Sequence, residues 1–161
     1  CSHLGSPYIG KCNFDGAGAC FNSVYSDVKP AVAPVAANIK TFDQTKFATG
    51  ASLGDTGYIY VPTACQNNAT CGLMLAFHGC QQTLADIGTK YVEDTGINGY
   101  AEANSVIVVY PQVKKSLVIP SNPEGCFDWW GYAGADFAFK TGAQMKFVHD
   151  VMETVMGSSA Q

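Results

Sequence analysis

The sequence predicts an α/β layered fold with an at least partly parallel sheet, and three observations carry the prediction. Two short, continuous apolar runs, residues 73–77 and 106–110, have the pattern of strands covered on both faces. A stretch of helical periodicity separates them, as a parallel crossover requires. A β-branched and aromatic run, residues 57–62, precedes both and is stopped by Pro62. At 161 residues the chain suffices for one globular domain, burying ~70% of its unfolded surface. Residues 1–161 are therefore read as a single domain, with a loop plus helix in 1–30 and the sheet in 55–157.

The elements follow in order. Residues 1–12 read as a loop between Cys1 and Cys12, punctuated by Gly5, Pro7 and Gly10. Asn13 or Asp15 can cap a helix whose apolar face runs through Cys20, Phe21, Val24 and Val28, ended by Lys29-Pro30. Residues 31–54, rich in Ala, Pro, Thr and Gly, read as an irregular connection. Between 83 and 104, Leu84, Ile87, Tyr91 and Val92 recur at helical spacing. The pattern breaks near Gly96 to Gly99 and resumes at Tyr100. Pro111 ends the second buried strand, and a loop rich in Pro, Asn and aromatics follows. The last helix, 142–156, carries Met145, Val148, Val151, Met152 and Val155 on one stripe. No internal repeat or low-complexity segment interrupts this pattern.

Charge and cysteine usage narrow the function classes. The net charge is −4, and all nine cationic residues are lysines, so there is no arginine clamp or basic stripe for nucleic acid. No apolar run reaches the ~20 residues of a membrane span, and no signal peptide is visible, as expected of a mature secreted chain. The seven cysteines lack paired CxxC spacing, which argues against a metal site and for disulfides in an oxidising compartment. Asn68-Ala69-Thr70 is a glycosylation sequon between Cys65 and Cys71, which suits an exposed loop stapled by a short disulfide. The odd residue, Cys20, is either a buried free thiol or one end of a bridge to a segment outside this chain.

The chemistry-bearing loop is His78-Gly79-Cys80, directly after the apolar run 73–77. Glycine after a parallel strand lets the backbone turn sharply and bring its amides close to a ligand, the arrangement of an oxyanion donor. The backbone serves here, and His78 reads as a histidine that orients its own loop.

These residues carry a family resemblance. Leu75-Ala76-Phe77-His78-Gly79-Cys80-Gln81-Gln82, Asp94-Thr95-Gly96-Ile97-Asn98-Gly99-Tyr100-Ala101, Val108-Val109-Tyr110-Pro111-Gln112 and Asn122-Pro123-Glu124-Gly125-Cys126-Phe127-Asp128-Trp129-Trp130-Gly131-Tyr132 resemble consecutive signature blocks of polyhydroxybutyrate depolymerases. Ser6-Pro7-Tyr8-Ile9, Cys12-Asn13-Phe14-Asp15-Gly16-Ala17-Gly18 and residues 56–62 resemble the fungal, circularly permuted, single-domain branch. Residues 31–54 and 113–121 match least well.

The resemblance implies a partial α/β-hydrolase fold and a secreted serine esterase, without cofactor or metal, acting on poly(3-hydroxybutyrate) or related short-chain hydroxyalkanoate esters. In the permuted branch the serine, acid and histidine all precede the equivalent of Cys1. This chain would then supply the Cys80 backbone donor and an aromatic substrate wall of Trp129, Trp130 and Tyr132, with Asn122. The triad would lie on a missing segment or a second chain, and this chain alone would be inactive. Tyr132 falls where the family places a crevice-lining tryptophan. Phe127 and Trp129 are equally readable as core, and Asp128 as bonding its own loop. A Cys80–Cys126 disulfide would lock donor loop to substrate wall; with Cys1–Cys12 and Cys65–Cys71 it leaves Cys20 unpaired. The alternative is a non-catalytic half-fold that binds a hydrophobic ligand.

Three decoys are set aside. Gly50-Ala51-Ser52-Leu53-Gly54 fits G-x-S-x-G, but a strand follows it, whereas a nucleophile elbow joins strand to helix. His3 lies in a terminal loop and His149 on the last helix, and neither has an orienting partner in sequence.

Overall fold

In the computed structural model, residues 5–47, 50–67 and 70–158 are described. Their centre is a mixed four-stranded sheet in the order β1-β2-β4-β3, made of β1 (Ile39–Asp43), β2 (Thr56–Tyr60), β3 (Gly72–Leu75) and β4 (Val106–Tyr110). β1 pairs antiparallel with β2, and β2 antiparallel with β4. β3 runs parallel to β4 with Leu73 opposite Ile107, across the expected helical crossover.

β4 is buried along its whole length and splits the core in two. Val106, Val108 and Tyr110 pack with Phe21, Tyr60, Val92 and Ala101 on one face. Val109 meets Phe147 and Val151 on the other. An all-apolar strand between two helical layers is what a run without polar alternation predicts.

Several expectations need correction. Residues 31–54 are not wholly irregular, because β1 lies within them. Its sequence, Ile-Lys-Thr-Phe-Asp, exposes polar residues as a terminal strand can, which hid it from an apolar-run criterion. α1 (Gly16–Val24) begins as expected, with the Asp15 carboxylate accepting the Gly18 N–H at 2.8 Å. It stops sooner, since Tyr25 turns extended and its hydroxyl donates to Leu73 O at 3.0 Å. Ala17 and Phe21 therefore face the core, Val24 and Cys20 are exposed, and Val28 reaches the core from an extended chain.

The crossover is three short helices, α2 (Leu84–Ile87), α3 (Lys90–Asp94) and α4 (Ile97–Asn104). Its breaks fall at Gly88 and Gly96, both with positive φ, and the last helix resumes at Ile97 and not at Tyr100. β3 is the last strand of the sheet among the described residues; Met74 packs against one core cluster and Leu73 and Leu75 against the other, so both faces are covered as expected, but only in part, and the strand is half-buried. In α5 (Ala143–Ser158), Phe147 and Val151 are buried while Met145 is exposed.

Candidate functional site

β3 delivers the chain into the turn at residues 77–82, beside the end of β4. His78 is 4% exposed, and both ring nitrogens are engaged. Nε2 accepts the Val113 N–H at 3.3 Å, so the proton sits on Nδ1, which donates to Gly79 O at 2.8 Å. Burial pushes the imidazole below its ordinary value, against smaller opposing effects of the Gly79 carbonyl and the Asp86 charge. His78 is thus a neutral loop-orienting group.

Its effect on the next peptide follows from planarity. Gly79 O also accepts the Gln82 N–H at 3.3 Å, so two donors fix one end of the Gly79–Cys80 peptide. In a trans peptide the N–H points opposite the carbonyl, and the Cys80 amide is therefore aimed away from the turn. Its neighbours are all engaged: Gly79 N–H donates to Gln82 Oε1 at 2.7 Å, Gln81 N–H to Glu124 O at 2.7 Å, and Gln82 N–H to Gly79 O. Among the described residues the Cys80 amide has no acceptor, and Cys80 is exposed. One unclaimed amide on a pinned turn is the local form of an oxyanion donor.

A disulfide joins this turn to the aromatic loop: Cys80 bonds Cys126, with Cα atoms 4.3 Å apart. Asn122 supports that junction. Its Nδ2 donates to Cys126 O and its Oδ1 accepts the Cys126 N–H, each at 2.9 Å. At 1% exposed, Asn122 offers no surface to a ligand, which corrects its assignment to the substrate wall. Buried amides are consumed by backbone partners wherever a loop must be fixed without regular structure.

Asp128 does the same for the following turn. Oδ1 accepts the N–H groups of Trp130, Gly131 and Tyr132, and Oδ2 accepts that of Ala133 at 2.8 Å. The carboxylate is wrapped by its own loop and is not poised as an acid. The wrapped turn displays Trp129 and Trp130, 70% and 42% exposed, with ring centroids 5.2 Å apart. Tyr132 continues the row 4.8 Å from Trp130. Its hydroxyl donates to Cys126 O at 2.8 Å and accepts from Gln144 Nε2 at 2.9 Å, and burial raises its phenol. Tyr132 therefore presents ring surface, with its hydroxyl occupied. Of the two rings also readable as core, Phe127 packs edge-on against Phe77 and against His78, whereas Trp129 stands in solvent.

Other candidates separate from this cluster. Ser52 has φ 53°, yet it lies in the loop before β2, with no strand-to-helix elbow. His78 is engaged as above and His149 bonds only Asp150 at 3.4 Å, so neither orients toward Ser52. Cys20 is free and exposed, which overturns the buried-thiol reading; it lines a cleft of about 840 Å³ under the N-terminal loop. Cys65 and Cys71 are bridged, with Cα atoms 6.0 Å apart. Cys1, His3 and Asn68 lie outside the described residues, and with them the Cys1–Cys12 pairing and the glycosylation site. No cluster of three or more metal-ligating side chains occurs among the described residues, and none of their helices is long and apolar enough to cross a membrane.

Sequence reasoning missed the glutamines. Gln82 stood in a quoted block without a role, and Gln144 ties Tyr132 to Ala51 O with no signal in the local pattern.

No protein-family model matches the sequence. The chain is 38% identical over 160 residues to a poly(3-hydroxybutyrate) depolymerase of Delftia acidovorans, covering 96% of this chain and 31% of that protein. It is 36% identical over 168 residues to a polyhydroxybutyrate depolymerase of Talaromyces funiculosus, covering 98% of this chain and 50% of that protein. Among solved structures it superposes on the polyhydroxybutyrate depolymerase of Penicillium funiculosum with a TM-score of 0.89 at 34% identity, covering 94% of this chain and 51% of that one. A serine-to-alanine variant of a polyhydroxybutyrate depolymerase, complexed with an R3HB trimer, matches with the same TM-score. The chain thus spans about a third to a half of the length of the relatives it matches, and its layered sheet is a partial α/β-hydrolase fold.

Proposed function

We propose that these 161 residues form the oxyanion-loop part of a secreted serine esterase that hydrolyses poly(3-hydroxybutyrate) or related short-chain hydroxyalkanoate esters. The observation that carries this reading is the Cys80 amide, the one N–H of the turn 79–82 without an acceptor among the described residues, fixed by disulfide beside an exposed row of aromatic rings. The similarity to depolymerases over nearly the whole chain supports the substrate class.

In this reading a serine from outside these residues attacks the ester carbonyl, and a histidine accepts its proton and passes it to the leaving alkoxide. The Cys80 N–H stabilises the negative charge that develops on the carbonyl oxygen. A lost donor of this kind typically costs ~10²–10³ in rate. Trp129, Trp130 and Tyr132 form an apolar wall for the methyl-bearing polyester. The triad lies on a segment preceding Cys1 in a circularly permuted order, or on a second chain, and Asn68 carries a glycan. The domain is residues 1–161 as one unit, with 55–157 forming the donor-loop side of the sheet. Disulfides support an extracellular setting.

A fluorophosphonate probe tests this. The ester-hydrolysing native preparation should be labelled on a serine outside residues 1–161, with the 161-residue chain alone unlabelled and inert toward a short-chain nitrophenyl ester. Labelling of Ser52 would overturn the assignment. So would a folded native preparation, complete by intact mass, that hydrolyses no ester.

A further inference from the structure

We infer that Gln82 is the positioning residue that selects which amide of the turn is offered to substrate. The inference rests on the esterase reading and goes beyond it in assigning a side chain the task of aiming the backbone donor.

The turn has several consecutive N–H groups, any of which an anionic oxygen could recruit if it were loose. Glu124 O occupies the Gln81 N–H, and Gln82 settles the rest through three bonds of its own. Its Oε1 takes the Gly79 N–H at 2.7 Å, its backbone N–H takes Gly79 O at 3.3 Å, and its Nε2 donates to Pro7 O at 2.9 Å. The first two bonds clamp Gly79 from both sides, so the following peptide cannot rotate and the Cys80 N–H keeps its outward direction. The third ties the side chain to the N-terminal loop, whose Tyr8 hydroxyl also bonds the Gln81 amide oxygen. Gln82 is 8% exposed, and both ends of its amide are matched to partners of the right polarity.

Gly79 is shaped for this contact. A Cβ there would stand 2.9 Å from Gln82 Oε1, so a side chain at position 79 would require that oxygen to shift from its place against the Gly79 N–H. A glutamine that served packing alone would not need a bare backbone opposite its carbonyl oxygen.

Two variants and two readouts decide the matter. Gln82→Met keeps the length and loses the side-chain bonds, whereas Gln82→Glu keeps an acceptor for the Gly79 N–H. In the native protein, amide hydrogen exchange should show Gly79 protected and Cys80 fast in the wild type. Gly79 protection should be lost in Gln82→Met and retained in Gln82→Glu, with the β4 amides unchanged as the folding control. In the ester-hydrolysing native form, Gln82→Met should lower kcat about 10- to 100-fold with KM within about 2-fold, the scale of a misplaced group. Gln82→Glu should recover part of the loss. An unprotected Gly79 amide in the folded wild type would overturn the inference, as would equal losses in kcat for both variants. A wild type without esterase activity would instead defeat the function proposed above, and the exchange experiment would still decide whether Gln82 holds the turn.

Discussion

His78 holds the Gly79–Cys80 peptide in place only while it is neutral, because its Nε2 must accept from Val113. Burial lowers its pKa in the folded chain relative to the ordinary value of about 6.5. Between the two values the unfolded chain binds the proton more readily, so stability is complete above about pH 6.5. It falls as pH drops below that, until the folded imidazole itself protonates. Melting temperatures recorded from pH 7.5 to 5 should decline in this window for the wild type and decline less for His78→Asn. Parallel curves would show that His78 does not titrate on unfolding. The charged Asp86 acts on His78 in the opposite sense, by a smaller amount.

Among the elements, the aromatic loop has almost no regular structure and depends on a few strong tethers. The Asp128 carboxylate accepts four backbone N–H groups. Asp128→Ala should therefore cost about 2 kcal/mol or more and quench or shift the Trp129 and Trp130 fluorescence, which reports the loop directly. A variant with wild-type emission and stability would mean that the wrapping is incidental. The Cys80–Cys126 bridge closes a loop with a sequence separation of 46. Replacing both cysteines by serine should lower stability by up to about 4 kcal/mol on the chain-entropy scale, measured by urea denaturation. It should also depress kcat more than KM, because the donor and the wall would no longer be joined. At the sheet edge, Gly72 and Ala76 donate to Ser105 O and Val109 O of the β4 side, so the alternate residues Leu73 and Leu75 turn their amides outward. Native-state exchange should be slow at Gly72 and Ala76 and fast at Leu73 and Leu75. Uniform protection would reveal another strand on that edge in solution, as unpaired edges invite.

For the molecule as a whole, the layered sheet was legible because burial on both faces of β4 leaves no polar alternation to confuse the pattern. The same criterion missed β1, whose exposed Lys40, Thr41 and Asp43 are those of a terminal strand. It was right that both faces of β3 are covered, yet it could not show that β3 ends the described sheet, since a hydrophobic run does not report whether a second neighbouring strand is present. Glycines marked turns well: the break at Gly96 was expected and the one at Gly88 was not, and both glycines have positive φ. In the site, His78-Gly79-Cys80 and the aromatic loop could be named from the sequence, but not which of its rings are exposed. The burial of Asn122 and the clamp of Gln82 could not, because polar side chains look alike until their partners are placed.

What the sequence determined by itself was the class of fold, the His78-Gly79-Cys80 turn, the aromatic loop and the resemblance to depolymerases, all of which reside in local patterns of residue type. Only the tertiary structure decided which amide of the turn is left without an acceptor, which aromatic rings meet solvent, and that the unpaired Cys20 is exposed and not buried. Those outcomes depend on hydrogen bonds and contacts between residues as far apart as Pro7 and Gln82 or Ala51 and Gln144. Such pairings are set by the packing of whole elements against one another, and no neighbourhood along the chain encodes them.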